Sequence, residues 1–170
     1  MRFGRRLALA LAFAAGAGIL WAPPEVSAEE SGSLSLIATY VRDYTTLEHA
    51  EGTVFGGTLQ GTSTVLTSSG GPFVEGEHSL VTCLVYGKRS ASGADLETAC
   101  TVTSATGDKF YLLAERSAGD VKAGSGGPGQ LEFVGGTGAY ANLRGSCAYD
   151  TAYLANDQVV TTADCTWRME

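Results

Sequence analysis

Basic residues are scarce in this chain: 11 Lys and Arg stand against 18 Asp and Glu in 170 residues, and three of those cations fall within the first six. The remainder is acidic enough to repel a phosphate backbone or an anionic lipid headgroup, which excludes nucleic-acid binding and membrane-surface attachment. Helical periodicity is missing too. After residue 32 no stretch of helical length repeats apolar residues at spacings of three and four. No apolar run reaches the roughly 20 residues of a spanning helix; Leu7 to Trp21 has 15. The G-x-S-x-G elbow, the P-loop and the zincin H-E-x-x-H are all absent. Cysteine occurs without any C-x-x-C pair, and the two histidines, His49 and His78, are not spaced with it as zinc ligands. Neither a metal nor a cofactor is expected.

The first 28 residues carry the three parts of a secretory leader. Arg2, Arg5 and Arg6 form a positive start, Leu7 to Trp21 an apolar centre, and Pro23 and Pro24 end any helix. Val26, Ser27 and Ala28 then place small residues before Glu29. Cleavage after Ala28 leaves a single domain, 29–170, that is secreted or periplasmic and no longer attached to a membrane. With three Arg and one Glu removed, 8 of 11 basic and 17 of 18 acidic residues remain, a net charge of −9. A chain of that length buries roughly two-thirds of its unfolded surface, enough for one core.

Beyond the leader the sequence runs in short segments rich in Thr, Val, Tyr and Leu, separated by Gly and Ser. Strands are predicted near 34–42, 53–66, 77–87, 94–104, 108–117, 129–134, 143–154 and 158–168. Eight strands with turns between them define an all-β barrel or sandwich. Ala123 to Gly129 (AGSGGPG) reads as a flexible loop. It spells G-x-G-x-x-G, but a strand rather than a helix follows, so it is no nucleotide fingerprint.

Four cysteines in an exported domain imply two disulfides, and spacing selects the pairing. Cys83 and Cys100 are centred on the turn-like stretch Gly87 to Gly93, and Cys147 and Cys165 on Asn156. Residues equidistant from a hairpin turn face each other within disulfide range. The bridges are therefore Cys83–Cys100 and Cys147–Cys165. The second bridge also sets a register in which Tyr149 faces Ala163, Tyr153 faces Val159 and Gly145 faces Trp167. That aromatic face should point inward, and the face carrying Ser146, Asp150, Asp164 and Arg168 outward. The first hairpin divides less cleanly, with Leu80, Leu84 and Tyr86 on one face and Val81, Cys83, Val85 and Val102 on the other. Both of its faces are expected to be covered, one by a neighbouring subunit.

Leu131 to Tyr149 (LEFVGGTGAYANLRGSCAY) holds an apolar strand, then Gly135, Gly136, Thr137 and Gly138, an aromatic at Tyr140 and a further Gly145. This segment resembles the signature of the allene oxide cyclase and dirigent barrel superfamily. Paired glycines permit a tight turn, Thr137 can hydrogen-bond locally, and Tyr140 can plug one barrel end. The resemblance implies an eight-stranded antiparallel barrel, often a homo-oligomer, whose lumen or mouth takes an apolar, oxygenated small molecule. Cyclase-like or dirigent-like steering of that molecule would follow. The acidic pocket motifs of dirigent proteins are not recognisable, so no catalytic residue carries over. The two disulfides depart from the plant pattern, and the chain reads as a divergent, bacterial, exported branch.

Titratable residues gather in three places: Glu48, His49 and Glu51; Glu75, Glu77 and His78; and Lys109, Tyr111 and Glu115, with Arg116 on the opposite face of the same strand. His78 could exchange protons with Glu77, but adjacent strand residues point to opposite faces. Tyr111, Glu115, Tyr149, Tyr153 and Trp167 are the candidate ligand-binding residues. Two function classes stay open at this point. One is a barrel that binds a hydrophobic small molecule, with or without catalysis; the other is a non-catalytic structural or interaction module of the cell envelope.

Overall fold

The computed structural model describes residues 30–50 and 52–170; the leader, its cleavage site and Glu51 lie outside the described residues. Eight strands follow in sequence: β1 (Ser31–His49), β2 (Gly52–Ser68), β3 (His78–Ser90), β4 (Gly93–Thr103), β5 (Lys109–Gly119), β6 (Gly126–Gly136), β7 (Leu143–Tyr153) and β8 (Gln158–Met169). Each pairs antiparallel with the next, and β1 pairs with β8 to close the ring. The expected eight-stranded antiparallel barrel is the fold observed.

Alternation decides which side chains enter. On β3, Val81, Cys83 and Val85 are buried while Leu80, Leu84 and Tyr86 face out. On β5, Phe110, Leu112 and Arg116 point in. On the β7–β8 hairpin the pairs Tyr149–Ala163, Tyr153–Val159 and Gly145–Trp167 form as the cysteine register requires. Both disulfides, Cys83–Cys100 and Cys147–Cys165, are present.

Two segments differ from the sequence reading. β1 continues to His49 and pairs with Gly52 onward, because this polar arm pairs with β2 beyond the last buried position. It carries no apolar period that could have announced it. The AGSGGPG stretch is loop only up to Ser125; β6 starts at Gly126. Its first four residues pair with β7 alone, since β5 pairing ends at Glu115 opposite Gln130. Pro128 is tolerated there because the strand is locally an edge.

One end of the barrel is filled. Phe73 folds in from the β2–β3 connection and meets Phe110, Phe133, Tyr140 and Trp167, with ring centroids 5.6–6.0 Å away. Such aromatic pairs contribute roughly 0.5–1.5 kcal/mol each beyond the area they bury. Tyr140 sits on a short 3₁₀ turn, Gly138–Tyr140. Thr137 bonds locally through its carbonyl, which accepts the Tyr140 N–H (3.0 Å); its backbone N–H donates to the Lys109 carbonyl (2.7 Å), and its Oγ1 accepts from the Lys109 N–H (2.9 Å). The Gly-Gly-Thr-Gly segment is thus clamped onto the start of β5. Gly138 has a φ of +54°, and a Cβ there would lie 2.0 Å from the Asp108 carboxylate, so no other residue fits without displacement.

The disulfides close loops of 17 and 18 residues. Replacing either pair by alanine should cost about 2–4 kcal/mol in urea unfolding, with the fold retained at low temperature. A loss below about 1 kcal/mol for both double variants would mean that the barrel does not depend on them.

Candidate ligand chamber

Between the aromatic plug and the opposite mouth, the inner faces of all eight strands enclose a cavity of about 60 Å³. This is space for the centres of a few waters, at roughly 10–15 Å³ each. Its apolar walls include Leu59, Val85, Leu96, Leu112, Leu131 and Val159, together with the Cys83–Cys100 bridge. Its polar walls are Tyr40 and Tyr44 from β1, Thr98 from β4, Arg116 from β5, Tyr149, Thr151 and Tyr153 from β7, and Thr161 from β8. Thr151 and Thr161 share a hydrogen bond of 2.8 Å. Larger depressions of about 450–460 Å³ lie outside the barrel, lined by exposed side chains such as Lys88, Glu97 and Glu115. Unlike these depressions, the lumen has walls from every strand.

The mouth is covered by the β5–β6 connection, residues 120–125, whose Val121 is buried against the inner end of the barrel. Arg42 latches this cover: Nη1 donates to the Val121 carbonyl, and Nε bonds Asp157 Oδ1 at 3.1 Å. Arg89 reaches the Asp120 carboxylate at 3.7 Å and lies over the Phe55 ring. Partial burial opposes ionisation of Asp120, but the Val121 and Lys122 amides and the Lys122 and Arg89 charges prevail and hold its carboxyl below the usual range. Outside the cover a rim depression of about 320 Å³ is bordered by Arg42, Arg89, Lys122 and Asp157, and by Tyr44, which also borders the lumen.

Tyr153 lies between two guanidinium groups, with Arg42 and Arg116 each 5.3 Å from its ring centre. Tyr149 reaches across the space beside Gly129 to donate its hydroxyl to the Glu115 carbonyl at 3.2 Å. A Cβ on Gly129 would stand 2.3 Å from that ring. Burial pushes the Tyr149 hydroxyl up to about 12, the Arg116 charge pulling back and Tyr153 adding to the rise. Burial raises Tyr40 and Tyr44 further still, with Tyr149 adding to the first and Tyr153 to the second. These phenols are therefore protonated donors at neutral pH. Among the described residues, three buried polar atoms make no hydrogen bond of normal geometry: Tyr44 Oη, Arg116 Nε and Trp167 Nε1.

The sequence candidates separate into three groups. Tyr149 and Tyr153 line the chamber. Trp167 is buried but belongs to the plug. Tyr111 and Glu115 are on the outer surface, Tyr111 at 37% exposure, which corrects their reading as ligand-binding residues of the lumen. The pleat gives the interior of β5 to the even positions, because Phe110, Leu112 and Ala114 carry its apolar parity. His78 is exposed and hydrogen-bonded to Thr64 (2.8 Å), and Glu48 and His49 stand on the exposed β1 arm. None of these enters the lumen. Gly135, Gly136, Thr137, Gly138, Tyr140 and Gly145 all lie toward the plugged end. Arg116, Tyr40 and Tyr44 were missed, although the apolar parity of Phe110 and Leu112 marks the face on which Arg116 sits.

No protein-family model matches the chain, and no curated protein matches it. Solved structures do. The closed, eight-stranded antiparallel barrel is similar to that of two dirigent proteins. The pterocarpan synthase dirigent protein GePTS1 superposes with a TM-score of 0.53 at 16% identity, over 91% of this chain and 99% of that one. The pterocarpan synthase dirigent protein PsPTS1 gives 0.50 at 13% identity, over 82% and 96%. The chain has the dirigent-like barrel fold.

Raised phenol values bear on stability. Tyrosines whose folded pKa lies above the unfolded 10 contribute in full below pH 10, and that contribution disappears as pH rises through the folded values. Absorbance titration near 295 nm should find Tyr40, Tyr44 and Tyr149 largely un-ionised at pH 11, with alkaline unfolding accompanying their ionisation. Full ionisation by pH 11 with the fold intact would contradict their burial.

Proposed function

We propose that the protein is exported, loses residues 1–28, and uses its barrel to bind an apolar, oxygenated small molecule, holding it in one conformation. What supports the reading is the composition of the chamber. Leucine and valine walls are interrupted by a few hydroxyl donors, the combination that small-molecule sites use for affinity and orientation. Eight strands make a barrel whose interior either fills with side chains or holds one small ligand. The two disulfides fit an oxidising compartment. Since the closed lumen is far smaller than the roughly 300–1,000 Å³ of ligand sites, entry requires Val121 and its loop to swing out, releasing Arg42. Catalytic steering is the further step for a molecule already held; no acid–base pair stands in the chamber among the described residues.

The test is a titration, followed by amide NMR, of the exported protein, whose intact mass should begin at Glu29. Small oxygenated aromatics should shift resonances of Thr98, Tyr149 and Thr151, and Tyr149→Phe should weaken binding about five- to tenfold, the value of one hydrogen bond. Shifts confined to the exterior, or no response across a diverse panel, would overturn the reading.

A second reading, an interaction module, draws on the outer face of β3–β5. There Leu80 (66% exposed), Leu84 (67%), Tyr86 and Leu113 form an uncovered apolar stripe. The stripe adjoins Lys88, Glu97 and Glu115, charges of both signs that a second copy turned about a two-fold axis can match. Sedimentation velocity should then show an oligomer that Leu84→Asp converts to monomer; a wild-type monomer at high concentration would exclude it.

A further inference from the structure

Arg116 is 3% exposed, yet no carboxylate among the described residues lies within ion-pair distance of it. Its contacts are the Asp120 carbonyl on Nη2 (3.0 Å) and the face of Tyr153, and its Nε bonds nothing. A guanidinium does not shed its proton, so its charge persists in the interior. A buried ion without a counter-ion is costly, and a π face with one carbonyl compensates only part of that cost.

The other cations at this mouth are already paired: Arg42 with Asp157 (3.1 Å), and Arg89 and Lys122 with Asp120 (3.7 and 3.9 Å). Arg116 is the exception, and it lines the chamber together with Tyr44, whose buried hydroxyl faces Tyr153 but makes no hydrogen bond of normal geometry. A guanidinium edge with no counter-ion and a buried phenol O–H are on the wall of one cavity that has apolar sides. We propose that the chamber takes an apolar molecule bearing a single carboxylate, its acid group against Arg116 and Tyr44.

This rests on the reading of the barrel as a small-molecule binder and names the class of ligand. One guanidinium balances one negative charge, and two planar carboxylate oxygens match its fork. A dianionic phosphate would leave a second charge uncompensated in the interior. The acidic remainder of the chain adds to the selectivity. Of the eight Lys and Arg after residue 28, four (Arg42, Arg89, Arg116 and Lys122) stand at this mouth beside Asp43, Asp120 and Asp157, so this end is less negative than the strongly acidic remainder.

The test compares sodium 3-phenylpropanoate with its neutral isostere 3-phenylpropanamide, titrated by amide NMR into protein expressed from the full chain. The acid should bind at least tenfold tighter than the amide, and added salt should weaken the acid alone. Folded Arg116→Gln should bring the two affinities within about twofold by weakening the acid. The comparison on the wild type needs no variant, so it decides even if Arg116→Gln does not fold. Equal binding of acid and amide would overturn the carboxylate assignment while leaving the chamber reading intact. An acid preference that survives in folded Arg116→Gln would overturn the role of Arg116. If neither probe moves lumen resonances, the chamber reading fails and this proposal with it.

Discussion

Closure of the sheet through β1 and β8 governs what every other residue can do. Ser31 through Val41 pair with Arg168 back to Gln158, while β1 also pairs with β2 over nearly its whole length. A closed ring pairs its strands on both sides and leaves open ladder where a strand overruns its neighbour, as the β1 arm does beyond Val41 and β6 does before Gln130. It also makes the two faces of each strand unequal, since one parity enters a narrow lumen and the other meets solvent. A slip of one residue in any pairing would exchange those sets on that strand. The disulfides lie where such slips must be resisted: each joins directly opposed residues on the inner face of a hairpin, Cys83 with Cys100 and Cys147 with Cys165.

The interior divides along the barrel axis into a part that stabilises and a part that can bind. At the plugged end, Phe73, Phe110, Phe133, Tyr140 and Trp167 fill the cross-section, and Thr137 ties the Gly-Gly-Thr-Gly segment to Lys109. At the mouth the apolar cluster is smaller: Val121 packs on Val85, Leu96, Tyr153 and Val159 beside the cavity, and its loop is held by Arg42 at Val121 and by backbone bonds of Gly124 and Ser125 to Tyr153 of β7. Local opening is least costly where few apolar contacts are lost and the backbone bonds face solvent. The same asymmetry puts hydroxyls and cations at the mouth and carbon at the plug. A shift of the Val121 loop would therefore enlarge the chamber without disturbing the aromatic end.

Much of the fold was legible because its signals are local. Turn residues and short β-rich runs mark eight strands, and two cysteine midpoints coincide with two turns. The register of β7 and β8 follows from those midpoints, and with it the inward direction of Tyr149 and Tyr153. The site was legible only in part. Tyr111 and Glu115 share a face, but which face looks inward depends on apolar residues of the other parity and on closure around them. Phe73 lies in a connection with no strand period, and only the aromatic gap it fills explains its burial.

By itself the sequence determined the strand count, the antiparallel hairpins, the two disulfides and the absence of familiar catalytic motifs, because each depends on spacing along one chain. Tertiary structure decided that Arg116 is interior, that it faces Tyr153 without a carboxylate, and that Arg42 holds the loop over the mouth. Those facts involve residues from β1, β5 and β7, brought together only when the ring closes. A cation on a strand looks the same in sequence whether it points to water or to a lumen, and burial is what gives this one chemical consequence.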